Sequence, residues 1–441
     1  MKLLGINKQV WVRLLFILIL SVTIVACGGE EFDDEEGEAF DAGLVDEEAE
    51  FDEEDAEGEE TVVNSGNESA DDEEEMAEDE GEMGEGTHQS ADVAMLADGM
   101  QAYIEEQMDE NQIPGVSYAI VYQGEVAVSD GFGVRSLDTD EPVDADTLFH
   151  IGSTQKSMTA MLIGSLVSDG VLEWDTPVVE VYPAFSFGDN TESVTVRHLL
   201  GMSGGIDEDD EGGFDLENGS GADVVTYIAE LEPIGAPDEE FSYSNLSSAL
   251  VGYTAVMANG GANGDMVDAY NNLLRARVLD PIGMERTTPS VSTARADANH
   301  AVSHVLDGDS MVVADSYDFD GDPLTPSGNL KSSANEMALY ILTQLNQGTA
   351  PNGTQIVDAE VAQEMWEPNT EIGEGTYALG WEVIEYEGVT VITHGGAYDN
   401  FMSVLAFIPD LEVGLVILVN TEEGEELVDE APYVLVDLLL E

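Results

Sequence analysis

Hydrophobic and polar positions change their spacing several times along the chain, and each change marks an element. A largely apolar run from Leu14 to Val25 follows Lys2, Lys8 and Arg13 and ends at the small residues Ala26, Gly28 and Gly29. That order predicts a secretory signal over residues 1–27, too short for a comfortable membrane span. Residues 94–108 (AMLADGMQAYIEEQM) repeat their apolar positions at helical spacing. After Pro114-Gly115, the runs VSYAIVY and EVAVSDGFGV read as strands joined through Gln123-Gly124 as a hairpin. Helical patterns and long Gly/Asp loops fill the middle, including Asp207 to Gly221. Strand patterns return as LGWEVIEY, VTVITH, MSVLAFI and VGLVILVN, before a last helix from Glu425 to Leu440. Strands at both ends with helices between them predict an α/β (α+β) fold. Its antiparallel sheet, about 90–150 and 325–441, is flanked by N- and C-terminal helices and carries an inserted all-helical part, about 151–324.

Charge changes this picture in two places. The 441 residues hold 94 acidic and 11 basic side chains, a formal net charge of −83. A surface this negative repels phosphate backbones and anionic lipid heads, which excludes nucleic acid and a polybasic membrane patch. Residues 30–86 alone hold 30 acids and no basic residue. Such blocks repel themselves, so residues 28–89 are expected to be a disordered tether, spanning roughly 45 Å or more. The rest of the mature chain keeps 64 acids against 8 basic residues. That composition fits a very salty habitat, where the screening length falls to about 3 Å at 1 M salt. The one cysteine, Cys27, excludes an intramolecular disulfide and a cysteine-rich metal site. Ile24-Val25-Ala26-Cys27 resembles the bacterial lipobox, whose cysteine is lipidated. The expectation is a cell-envelope protein, lipid-anchored to a membrane on the extracytoplasmic side.

Candidate chemistry begins at Ser153 and Lys156. Three residues apart after Gly152, they lie on one helical face, where a desolvated lysine can activate a serine hydroxyl. The folded part has only two lysines, Lys156 and Lys331, and an exposed lysine in so acidic a chain would not be expected to persist. Tyr243 and Asn245 stand two apart before an apolar helix (LSSALVGYTAVM), so both can face one cleft. His394-Gly395-Gly396-Ala397 ends a strand pattern; the glycines let a substrate backbone lie against the edge, and His394 can polarise or hold a carboxylate.

In order and spacing these motifs resemble the serine β-lactamase/penicillin-binding-protein superfamily, in its class C β-lactamase, DD-peptidase and esterase branch. The likeness covers roughly residues 93–441 and includes TLFHIGSTQKSMTA, VTVRHLLGMSGGI and PSGNLKSSANEMALYI. It implies Ser153 as acylated nucleophile, Lys156 and Tyr243 as proton-transfer partners, and Asn245 as a substrate contact. His394, Gly395, Gly396 and Ala397 would form the substrate edge, and the backbone N–H groups of Ser153 and Ala397 the oxyanion hole. No metal or cofactor is implied. One departure matters: the third motif usually begins with lysine and carries a hydroxyl second, and His394-Gly395 lacks both. The expected activity is therefore that of a monomeric esterase or D-amino-acid peptidase on a small-molecule or peptidoglycan-type substrate. A class C-like β-lactamase and a non-catalytic cell-wall receptor are the alternatives.

Three weaker motifs compete. Gly201 to Gly205 matches a nucleophile elbow around Ser203, but IDEDDEGGFD after it cannot be the required helix. His300 and His304 have metal-ligand spacing on a helix but no nearby Glu, and read as surface histidines. Asp318, Asp320 and Asp322 resemble part of a calcium loop but lack its spacing, and read as an acidic turn.

Overall fold

The computed structural model describes residues 85–440 except 263, 317 and 374. The expected signal, Cys27 and the tether up to residue 84 lie outside the described residues. Residues from 84 onward form one compact unit.

That unit is built on a nine-stranded sheet. The thirteen strands among the described residues are β1 (Gly115–Tyr122), β2 (Glu125–Ser136), β3 (Glu141–Pro142), β4 (Phe149–His150), β5 (His304–Asp307), β6 (Ser310–Val313), β7 (Lys331–Ser332), β8 (Thr370–Ile372), β9 (Gly375–Tyr377), β10 (Glu382–Tyr386), β11 (Val389–Tyr398), β12 (Phe401–Ile408) and β13 (Val413–Val419). The large sheet runs β3-β2-β1-β13-β12-β11-β10-β9-β8, antiparallel throughout, so the two ends of the chain meet at β1 and β13 with Val116 opposite Val419. Strands β12 and β13 are buried along their whole length, because both faces of the sheet are covered. In β1, Val116, Tyr118 and Ile120 face the terminal helices α1 (Glu85–Asn111) and α5 (Glu425–Leu440), joining Met100, Ile104, Leu427 and Leu435. Ala119 and Val121 face the other way, into the core shared with helices α2 (Gln155–Ser168), α3 (Asn245–Ala258) and α4 (Ala334–Leu345). Alternation along one strand thus serves two cores.

The α/β fold with an antiparallel sheet between terminal helices and inserted helices is the one expected, with differences at the margins. Helix α1 starts at Glu85, inside the segment read as tether, and runs three residues beyond Met108. The insertion is not all helical: β5 and β6 form a hairpin within it. On either side of it β4 and β7 pair with each other outside the large sheet. LGWEVIEY begins as a turn at Gly380 (φ +74°), so β10 starts only at Glu382. Strands β8 and β9 are three residues each, too short to show a period.

Candidate active site

Gly152–Thr154 is a 3₁₀ turn that runs directly into α2. Gly152 has a φ of +51°, and a Cβ there would lie 2.6 Å from the Ala397 nitrogen and 2.7 Å from its carbonyl oxygen. Only glycine lets β11 approach so closely. From the other side, a Cβ on Gly396 would lie 3.1 Å from the Ser153 nitrogen. These contacts bring the backbones of Ser153 and Ala397 together at a helix N-terminus, where N–H groups favour negative charge. Gly395, between them and His394, borders open space.

Lys156 is 1% exposed. Its Nζ lies 3.0 Å from Ser153 Oγ, 2.6 Å from Asn245 Oδ1 and 3.0 Å from the Ser327 carbonyl. Burial pulls its pKa down to about 7, partly opposed by Glu211. Two of the three neighbours are carbonyl oxygens, which can only accept. A neutral amine gives them its two N–H bonds and turns its lone pair toward the Ser153 hydroxyl. Such an arrangement can act chemically as a general base.

Asn245 opens α3, and Ser244 caps the helix by accepting from the Ser247 N–H. The cap frees Asn245 to bridge Lys156 and Glu211, whose Oε2 accepts from Asn245 Nδ2 at 2.8 Å. Tyr243 precedes the cap. Its ring lies under Lys156, with Nζ 4.7 Å from the centroid. Burial drives the phenol far above its ordinary range despite a hydrogen bond to Ser153, so Tyr243 keeps its proton and a tyrosinate is disfavoured.

His394 is 2% exposed. Burial, and then the charge on Lys156, push its pKa down to about 3. Its Nδ1 lies 2.5 Å from the Gly395 carbonyl and its Nε2 3.0 Å from the Tyr377 hydroxyl. The carbonyl can only accept, so Nδ1 carries the hydrogen and Nε2 accepts from Tyr377. A neutral ring with both nitrogens engaged fixes Tyr377 against Tyr243, whose rings are 6.3 Å apart.

A model of the beta-lactamase family matches residues 100–439. The chain belongs to the beta-lactamase family. Its members are serine hydrolases that work through an acyl-enzyme, and the chain shares their fold. Curated relatives include the unguisins hydrolase ungD' of Aspergillus campestris, 26% identical over 72% of this chain and 60% of its own length. Protein flp of Staphylococcus aureus is 28% identical over 72% of this chain and 61% of its own. The chain thus spans about three fifths of the length of these relatives. Among solved structures, the octameric penicillin-binding protein homologue of Pyrococcus abyssi superposes with a TM-score of 0.66, 24% identity and 77% of each chain covered. A class C beta lactamase of Rhodobacter sphaeroides gives 0.64 and 20% identity over 78% of this chain and 99% of its own.

The structure thus brings Ser153, Lys156, Tyr243, Asn245 and the 394–397 edge together. The competing residues lie elsewhere. Ser203 is fully buried and donates to Asp238 Oδ1 at 2.9 Å, while His198 meets the other oxygen at 3.1 Å; the carboxylate separates serine from histidine. His304 is not a surface residue on a helix. It is buried in β5, where its Nε2 accepts from the Leu137 N–H at 3.1 Å. Asp318, Asp320 and Asp322 are more than an acidic turn. Asp318 holds His150 at 3.2 Å and pairs with Arg295. Asp320 accepts from the Val291 N–H at 2.7 Å, and Asp322 from Leu324 N–H at 2.8 Å and Tyr398 at 3.2 Å. Among the described residues no three His, Cys, Asp or Glu side chains group to hold a metal ion. Sequence reasoning missed Glu211, Ser327 and Tyr377. Glu211 is one acid among many in its loop, Ser327 contributes only backbone, and Tyr377 sits on a strand too short to recognise.

Proposed function

We propose that this protein hydrolyses esters or D-amino-acid amides through an acyl-enzyme on Ser153. The observation that carries this reading is the environment of Lys156, buried, drawn toward neutrality and aimed at Ser153 Oγ. Ser153 Oγ attacks the substrate carbonyl while its proton passes to Lys156. The oxyanion is held by the N–H groups of Ser153 and Ala397. As the C–O or C–N bond breaks, Tyr243 and Lys156 return the proton to the leaving group, and Asn245 holds the acyl carbonyl side. Water then repeats the sequence to free the acid. Retention of a buried base argues against a pure receptor, since binding alone has no use for Lys156.

The choice of ester or amide over β-lactam rests on His394. A neutral, fully engaged imidazole offers no cation to a β-lactam carboxylate. We further propose attachment to the extracytoplasmic face of a membrane through Cys27, which mass spectrometry of membrane-extracted protein tests. For the hydrolase reading, an activated fluorophosphonate is expected to label the protein once, in the peptide containing Ser153, and Ser153→Ala to abolish the label. Labelling that survives this substitution would sink the assignment.

A further inference from the structure

The acid-rich loop from Asp207 to Gly221 sends one carboxylate to the reaction centre. Glu208–Gly213 forms a 3₁₀ turn held at three points. The Glu208 N–H donates to Ser242 Oγ at 2.9 Å, Tyr227 donates to the Asp210 carbonyl at 2.7 Å, and Asn245 Nδ2 donates to Glu211 Oε2 at 2.8 Å. The first anchor is next to Tyr243 in sequence and the third is Asn245 itself, so Glu211 is fixed at the cleft. Among the described residues no other side chain or N–H donates to that carboxylate, which leaves Oε1 for a ligand.

Nothing nearby cancels its charge permanently. All six arginines of residues 87–441 pair with other acids: Arg135 with Glu141, Arg197 with Asp175, Arg275 with Asp280, Arg277 with Asp169, Arg286 with Asp297 and Arg295 with Asp318. Lys331 donates to Asn329 and to the Pro289 carbonyl. Among the described residues Lys156 is the one cation that acts on Glu211 directly, and it must give up its charge to serve as base. Burial raises the Glu211 pKa, against Asn245 and Lys156, which lower it; once ionised beside a neutral Lys156, this carboxylate makes the cleft negative, and a like charge held there is disfavoured.

We propose that Glu211 reads the charge of the acyl group, accepting substrates with a protonated amine close to the scissile carbonyl and rejecting those with a carboxylate in its place. This rests on the hydrolase reading above and adds the substrate's charge class. Free α-amino acyl esters and amides fit it; N-succinylated acyl groups do not.

The test uses three fluorophosphonates of equal length ending in an ammonium, a hydroxyl or a carboxylate. In each reaction a bond forms between Ser153 Oγ and phosphorus, fluoride leaves, and the serine proton passes to Lys156. Labelling rates are measured on the whole chain, on Glu211→Gln, which keeps an acceptor for Asn245, and on Glu211→Lys. The ammonium probe is expected to outrun the carboxylate probe about 10- to 100-fold in the parent, the range of a hydrogen bond to a charged group. Glu211→Gln should bring the ratio to within a few-fold of one, and Glu211→Lys should invert it. A parent without preference, or a Glu211→Gln that slows all three probes equally, overturns the charge reading. No labelling of Ser153 by any probe overturns the hydrolase reading instead.

Discussion

At Lys156 the chemistry depends on a single proton. A base with a pKa of about 7 is half charged at neutral pH. The expected kcat/KM on an uncharged ester therefore rises with pH through about 7 and levels off above it. A profile flat from pH 5.5 to 8.5 would remove Lys156 as base, and Lys156→Ala should cost roughly 10²–10⁴-fold in turnover. Two neighbouring glycines separate backbone geometry from side-chain chemistry. Gly152→Ala places a Cβ 2.6 Å from the Ala397 nitrogen at a left-handed φ. It should lose about 1–3 kcal/mol of stability, and about 10²–10³-fold in kcat if the oxyanion hole opens. Gly395→Thr meets open space at an ordinary φ. Its melting temperature should stay near the parent's while the hydroxyl raises turnover of a cephalosporin. A cephalosporin rate unchanged by Gly395→Thr would show that the missing hydroxyl does not set the substrate class.

Among the elements, β10 and α5 each carry a carboxyl group raised by burial. Burial raises Glu382 to about 7, helped by Asp429, and burial raises Asp429 to about 7, helped by Glu425 and Glu430. Both groups bind protons more tightly in the folded protein than in the unfolded chain, where carboxyls titrate near pH 4. The sign follows from linkage: between about pH 4 and 7 the native state holds more protons, so stability falls as pH rises through that window. The melting temperature at fixed salt is expected to be higher at pH 5.5 than at pH 8. Asp429→Asn should flatten that difference and raise the value at pH 8. Equal slopes for parent and variant would remove this pair as the cause.

For the whole molecule, 64 acids against 8 basic residues in residues 87–441 set the balance. Six arginine pairs on or near the surface offset little of it, since exposed pairs contribute about 0–1 kcal/mol each. Repulsion between the remaining acids favours the unfolded chain unless salt screens it over a few ångströms. Melting temperature and activity are expected to climb as KCl rises from about 0.1 M to above about 1 M, in the range where screening shortens from about 10 to about 3 Å. The measurement is a salt series on the whole chain and on residues 84–441. A flat melting temperature across it would mean that the acidity serves solubility alone.

Local pattern sufficed wherever periodicity and composition act over neighbouring residues. The hairpin through Gln123-Gly124, the strands β11 to β13 and the helix Glu425–Leu440 were all legible, because each repeats its burial pattern over seven residues or more. Ser153, Lys156, Tyr243 and Asn245 were legible because their spacing lies within one helical turn or one loop. Tertiary structure alone decided what depends on distant segments meeting. It buried His394 against Tyr377 and so removed its charge, which no residue type can announce. It turned Asp318, Asp320 and Asp322 from a solvated turn into partners of His150, Val291 and Tyr398. It also singled out Glu211 from a loop of like charges by setting it 2.8 Å from Asn245. Charge, burial and hydrogen-bond partners belong to the assembled site, and a sequence lists only the groups that compete for them.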